Sequence, residues 1–422
     1  MWLIKQSPAL FMDLYELTMV QVYFDKQIND RAYFEVTIRK LPEHWGFFVM
    51  AGLAEVESYL NEFHFTKDDI DYLHSTKIFT DDFLSYLAEL RPEVSMRCLP
   101  EGMVFFPNEP VFELSGPLIC AQILESYILN ILGFSIIEAT LAARISIAAQ
   151  DATVIDFGLR RSQGPVASVR SVRAAQMARF KATSNLFAAR CLDFPPSGTM
   201  AHSFIEVHDS EELSFIDFAE AYGQNAILLV DTYDSIEGIK KAAKAAKQLH
   251  KEKGIQIRGI RIDSGDLVEI SKFARKYFQD NGVDFLKIFV SGDLDEFRIA
   301  DLLKKNAQID GFGIGTRFAV SRSAPAVEIV YKITRYGDKN LLKTSPQKES
   351  RPGRKSITRL MGKFYQKDIV SPLKAGPKDL LQPFESAEQI RTKQERLITE
   401  LSLLDNSVKT IRNPREYPVE FE

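Results

Sequence analysis

The chain has 422 residues, 53 Lys and Arg against 57 Asp and Glu, a net charge of −4 and 45% hydrophobic residues. That length is too great for one ordinary core, and that composition excludes a disordered chain and points to a globular enzyme of two domains. An acidic balance gives no electrostatic pull toward nucleic acid. Cys98, Cys120 and Cys191 are widely spaced and odd in number, which argues against a disulfide framework or a thiolate metal site and for a reducing, cytoplasmic setting. The amino-terminal MWLIKQSPALFMDLYE lacks the charged-then-apolar pattern of a signal peptide. The longest apolar run, SYILNILGFSII between Glu125 and Glu138, is 12 residues and too short to span a bilayer.

In chain order, LFMDLYELTMVQVYF (Leu10 to Phe24) has helical apolar spacing. From Arg31 to about Pro117, strand-like AYFEVTI, GFFVMAG, GMVFFP and PVFELSG alternate with helical LAEVESYLNEF and DDFLSYLAEL, so residues 1–117 read as an α+β domain. A long helical region from Leu118 to Ala149 leads into VIDFGLR, and residues 118–335 read as a (β/α) barrel. Within 336–422, the basic stretch Lys343 to Arg359 is broken by prolines and reads as a solvated loop or one helping to hold phosphates. A helix is expected from about Ser386, and the segment is expected to pack back on the first domain.

Four apolar runs in the barrel region end abruptly in polar or glycine-rich clusters: ILLVDTYD, IRGIRIDSGD, KIFVSGD and GFGIGT. Asp231, Asp263, Asp293 and Gly315 mark these ends at spacings of 32, 30 and 22 residues, about one βα unit each. Catalytic groups of such barrels gather at the carboxyl ends of the strands, so these acids read as chemistry, and Ser-Gly-Asp suits phosphate and ribose. DFGLRRSQG (Asp156 to Gly164) puts an aromatic residue and two arginines at another strand end, either an anion site or a solvated basic turn. His202 follows a Gly-Thr turn, and no pair of histidines has metal-ligand spacing, so no protein-bound transition metal is expected.

The strings LYELTM, PNEP, DFGLRRSQG, TSN, GTMAHSF, LLVDTYD, RIDSGDL, SGDLDE, FGIGT, VYK and PGRK cover nearly the whole chain. In that order they resemble the nicotinate phosphoribosyltransferases. The resemblance implies an α/β fold with an irregular type II phosphoribosyltransferase barrel and a smaller α+β domain. It further implies transfer of phosphoribosyl from phosphoribosyl pyrophosphate to nicotinate, giving nicotinate mononucleotide for NAD synthesis by an ATP-dependent enzyme classed as a ligase, with Mg²⁺ carried on the pyrophosphate.

By the same resemblance His202 accepts the ATP phosphoryl group and Asp231 hydrogen-bonds its imidazole. Phe157 and Tyr15 sandwich the pyridine, with Tyr15 supplied by the partner of a homodimer. Arg160 meets a phosphate or carboxylate, and Arg261 lies near base and ribose. Asp263, Gly292 and Asp293 hold the ribose hydroxyls, while Gly315 and Thr316 offer amides to the 5′-phosphate. Ser184 stands where nicotinamide-using relatives carry an aspartate that would repel a carboxylate, which favours nicotinate. The alternatives are a nicotinamide or quinolinate phosphoribosyltransferase, or a non-catalytic metabolite-binding homologue. The chain departs from the family pattern at Ala182 and at Glu328 and Ile329, where glycines are usual and where added side chains could crowd a phosphate or a partner.

Overall fold

The computed structural model describes residues 8–342, 351–373 and 379–422. It divides into two compact units, Met1–Thr140 with Ser323–Glu422, and Leu141–Arg322. The division falls inside the long helix Glu125–Ala149, so residues 118–140 and 323–335, read from sequence with the barrel, belong to the first unit. The cause is strand pairing: Ile329–Tyr336 lies antiparallel to Arg31–Ile38, with one register shift between Tyr33 and Phe34.

The first unit contains a six-stranded sheet in which every pairing is antiparallel: Lys339–Asn340, Ile329–Tyr336, Arg31–Ile38, Phe112–Pro117, Ser95–Cys98 and Gln382–Pro383, in that spatial order. Lys355–Met361, Tyr365–Pro372 and Val419–Phe421 form a three-stranded sheet. The basic motif PGRK is structural here. Lys355 Nζ donates to Glu35 at 2.7 Å and Arg354 forks onto Glu113 at 2.6 Å, so these two cations are consumed in ion pairs rather than offered to phosphate. Residues 343–350 of the same basic stretch lie outside the described residues. The C-terminal helix is Ile390–Leu403, starting later than expected with Gln389 rather than Ser386 at its N-cap, and the Ala387 N–H ahead of it donates to Glu57 at 3.0 Å.

The second unit carries six parallel strands: β1 Thr153–Asp156, β2 Ala182–Thr183, β3 Ile227–Leu229, β4 Gly259–Ile262, β5 Lys287–Val290 and β6 Gly311–Ile314. Their spatial order is β2-β1-β6-β5-β4-β3. β1 thus pairs with β6 while β2 and β3 do not pair, giving an open half-barrel sheet rather than a ring of continuous pairing. Strands covered on both faces need apolar side chains at nearly every position, which is why they read as unbroken runs in the sequence.

The acid clusters after β3, β4 and β5 have a division of labour. The last acid of each caps the next helix: Asp234 accepts from Glu237 N–H at 2.9 Å, Asp266 from Val268 N–H at 3.0 Å and Asp295 from Arg298 N–H at 2.8 Å. Each cap satisfies an orphan amide and is worth about 1 kcal/mol. That leaves Asp231, Asp263 and Asp293 at the strand ends for other work.

The helical stretch Leu118–Ala149 has the extent expected and contains the 12-residue apolar run. By length and composition it could cross a membrane, with mean hydropathy 1.6, but 83% of its most apolar window is buried in the protein. The fully buried Glu138 and Arg144 within it suit a core helix.

Candidate active site

The carboxyl ends of β3, β4 and β5 are stitched together by one network. Asp231 Oδ2 accepts the Asp263 N–H at 3.0 Å and the Ser264 hydroxyl at 2.6 Å. Asp263 Oδ1 accepts Arg261 Nη1 at 3.1 Å and the Ser291 hydroxyl. Arg261 Nη1 also reaches Ser291 Oγ at 3.1 Å, and Nη2 donates to the Met200 carbonyl at 2.9 Å. Burial lowers the Arg261 pKa, while Asp263 and Asp231 work in the opposite direction. The arrangement fixes a cation and a partly exposed carboxylate side by side, a pair able to address the polar groups of a sugar.

Gly292 follows at φ +89°, and a Cβ there would stand 2.1 Å from the Asp263 carbonyl oxygen. Asp293, also left-handed at φ +51°, is gripped by Arg317, whose Nε donates to Oδ1 at 2.7 Å and whose Nη2 meets Oδ2. Arg317 Nη1 meets Asp295 as well. These hydrogen bonds hold the Asp293 carboxyl below the usual carboxylate range. Arg317 escaped the sequence reading because one arginine after Gly-Thr looks like an ordinary helix residue. It is the second residue of the short helix Thr316–Ala319 after Gly315 and so ties the end of β6 to that of β5.

At the end of β1, Phe157 packs on Ile155, Ala182, Ile227 and Phe289, with its N–H donating to the Ile314 carbonyl at 2.6 Å. A Cβ on Gly313 would lie 2.4 Å from the Phe157 ring, so that glycine is the ring's seat. Arg160 is exposed on the turn Leu159–Arg161, and Ser184 is half-buried just past β2. Of the departures, the Ala182 methyl is core, while Glu328 pairs with Lys40 at 2.6 Å and Ile329 sits in a strand opposite Ile38.

One expected contact is corrected. His202, at the start of the helix His202–Glu206, places Nδ1 3.1 Å from Thr232 Oγ1, not on Asp231. Asp231 Oδ2 is already engaged by Asp263 and Ser264, and its buried Oδ1 has no partner among the described residues. The neighbouring hydroxyl orients the ring instead.

Tyr15 belongs to the first unit, exposed on the helix Leu14–Asp25, and burial followed by the charges of Glu125 and Glu16 raises its pKa. Glu16, fully buried, accepts Ser126 N–H at 3.0 Å and the Ser126 hydroxyl through Oε1, while Oε2 has no partner among the described residues. Burial, with Glu125 and Asp13 nearby, pushes its carboxyl up to about 7 against the lowering effect of the Ser126 bonds. A carboxyl raised in the folded state binds its proton more tightly there than when unfolded. Its contribution to stability is therefore fullest while it is protonated and declines as pH rises from about 4.5 to about 7. Glu16→Gln is expected to flatten that slope, worth about 3 kcal/mol across the window. Denaturant unfolding of both proteins from pH 4 to pH 8 measures it, and parallel curves would contradict it.

Among the described residues no cluster of three or more His, Cys, Asp or Glu could hold a metal ion.

The second unit, then, is an α/β half-barrel with its polar groups at the strand ends. Residues 10–133 match the model of the nicotinate phosphoribosyltransferase N-terminal domain, and residues 152–354 match that of the nicotinate phosphoribosyltransferase family. The chain is 42% identical over 351 residues to a nicotinate phosphoribosyltransferase of Mycobacterium tuberculosis, covering 83% of this chain and 75% of that one. It is 36% identical over 363 residues to the Bacillus subtilis enzyme of that name, covering 84% and 74%. In fold it is similar to human nicotinic acid phosphoribosyltransferase, with TM-score 0.83, 23% identity and 97% of each chain covered. It is also similar to nicotinate-nucleotide pyrophosphorylase of Pyrococcus furiosus, with TM-score 0.73, 26% identity and 94% and 95% covered. The chain belongs to the nicotinate phosphoribosyltransferase family.

Proposed function

We propose that this chain transfers the phosphoribosyl group of phosphoribosyl pyrophosphate to nicotinate, in the salvage of NAD, in the cytoplasm. The observation that carries the reading is the gathering of Arg261, Asp263, Gly292, Asp293 and Gly315 at adjacent strand ends within the matched residues 152–354. The pyridine nitrogen attacks ribose C1 with its lone pair, the C1–O bond breaks, and pyrophosphate leaves with that electron pair. A free lone pair needs no general base, so the protein's task is alignment and stabilisation of the cationic sugar. Asp263 and Asp293 take the ribose hydroxyls, the Gly292 turn gives the backbone its close approach, and Gly315 and Thr316 take the 5′-phosphate. Mg²⁺ arrives with the pyrophosphate as part of the substrate.

Phe157 stacks on the pyridine, with Tyr15 from a partner subunit on its other face, and Arg160 meets an anionic group. ATP phosphorylates His202 at the nitrogen turned away from Thr232. Phosphorylation adds negative charge and acceptor oxygens beside the pyrophosphate site and so changes affinity through the cycle. Ser184 leaves the base's carboxylate unopposed. Accordingly, Ser184→Asp is expected to lower nicotinate use at least tenfold, on the order of one buried like-charge contact, while sparing nicotinamide. Rates with nicotinate, nicotinamide and quinolinate offered separately to both proteins test this; wild-type preference for another base would overturn the substrate assignment.

Gly313→Ala drives a methyl into the Phe157 ring. It is expected to raise the nicotinate KM roughly tenfold, the scale of one lost aromatic stack. Initial rates against nicotinate concentration measure it, and an unchanged KM would remove Phe157 from the base site.

A further inference from the structure

We propose that Asp156 and Thr183 are a positioning pair that fixes the two walls of the base pocket against each other. This rests on the reading that Phe157 and Ser184 face the pyridine. Each of those residues directly follows one member of the pair, and β1 and β2 set Asp156 opposite Thr183 in register. Asp156 is 2% exposed and Thr183 fully buried, so neither touches substrate.

Their hydrogen bonds are local and complete. Asp156 Oδ2 accepts the Thr183 hydroxyl at 2.6 Å, and Oδ1 accepts the Gly158 N–H at 2.9 Å, closing the turn that carries Phe157. Thr183 Oγ1 in turn accepts the Asn185 N–H at 3.0 Å, and the Ser184 N–H donates to the Asp156 carbonyl at 2.8 Å. Gly158 is needed for this closure, since a Cβ there would lie 2.9 Å from Asp156 Oδ1 and 2.7 Å from the Ala319 methyl. Burial raises the Asp156 pKa, and the Thr183 and Gly158 hydrogen bonds oppose it, so the two loops that the carboxyl holds are also what favours its ionised form. One side chain thereby sets the aromatic wall through residues 157–158 and the polar wall through residues 183–185. The ribose residues lie on β4 and β5, which do not pair with β1 or β2.

Thr183→Val keeps the shape and removes the donor, while Thr183→Ser keeps the donor. Asp156→Asn tests the acceptor but leaves an amide beside the Gly158 N–H, so its thermal unfolding is recorded alongside. With full-length protein, Thr183→Val is expected to raise the nicotinate KM roughly tenfold and to narrow the preference for nicotinate over nicotinamide. The phosphoribosyl pyrophosphate KM should stay within about twofold, and Thr183→Ser should restore wild-type behaviour. A Thr183→Val enzyme like wild type, a parallel rise of both KM values, or a Thr183→Ser enzyme as impaired as the valine variant would each overturn the pairing while leaving the proposed reaction standing. Wild-type protein that fails to use nicotinate would instead overturn the reaction, and the inference with it.

Discussion

Gly292→Ala is expected to reduce kcat/KM for phosphoribosyl pyrophosphate by about 100-fold or more, the scale set by a misplacement of about 1 Å in a catalytic constellation. The added Cβ would stand 2.1 Å from the Asp263 carbonyl oxygen, and φ +89° is a conformation that only glycine adopts without strain. The backbone of residues 291–293 must retreat from that of residue 263. Retreat separates the Ser291 hydroxyl from Asp263 and removes one of the partners that hold Arg261. Under the proposed roles the damage falls on ribose binding and on the alignment of C1, not on the fold's core. A control distinguishes this from the general cost of a left-handed residue. Gly282 lies at φ +68° at the end of the helix Leu267–Asn281, with open space where its Cβ would stand. Gly282→Ala is expected to cost about 1 kcal/mol of stability and no activity. Steady-state kinetics and thermal unfolding of the two variants decide it; equal activities would show that the close approach at Gly292 is unimportant.

His202→Ala is expected to reduce ATP cleavage to background, a fall on the order of 1,000-fold, while phosphoribosyl transfer continues at a lower rate. The asymmetry follows from the roles proposed. The imidazole carries the phosphoryl group, whereas the pyridine needs only a free lone pair and an aligned ribose. Thr232 Oγ1 engages Nδ1 and leaves the opposite nitrogen as the nucleophile. Thr232→Val should therefore impair ATP cleavage less than His202→Ala does, since it removes the ring's orientation but not its nucleophile. ADP release and mononucleotide formation, followed in the same reaction, check both. ATP cleavage undiminished in His202→Ala would contradict the phosphoryl-acceptor role.

The strand ends of the second unit were legible because a parallel strand buried on both faces must be apolar throughout and stops sharply where the chain meets polar groups. Asp231, Asp263, Asp293 and Gly315 each follow a strand, as the spacing indicated. What the spacing could not separate was the acid at the mouth from the acid that caps, since Asp234, Asp266 and Asp295 are the same residue type three or fewer positions on. Contacts between distant segments were also hidden. The Arg317 grip on Asp293 depends on β5 lying beside β6, and the hydrogen bonds of Asp231 depend on β3 lying beside β4. The unit boundary was misplaced for a related reason: an unbroken helix from Glu125 to Ala149 carries no local sign that the division falls within it. Asp156, the first residue of the DFGLRRSQG motif, gives no local hint that its partner is Thr183, 27 residues away.

The most direct measurement is the formation of nicotinate mononucleotide from nicotinate, phosphoribosyl pyrophosphate and Mg²⁺, with pyrophosphate release followed in parallel and ATP present or absent. Equimolar mononucleotide and pyrophosphate, formed faster with ATP, is the result expected of the proposed reaction. Tight binding of both substrates without product, under either condition, would contradict it and leave a metabolite-binding member of the family.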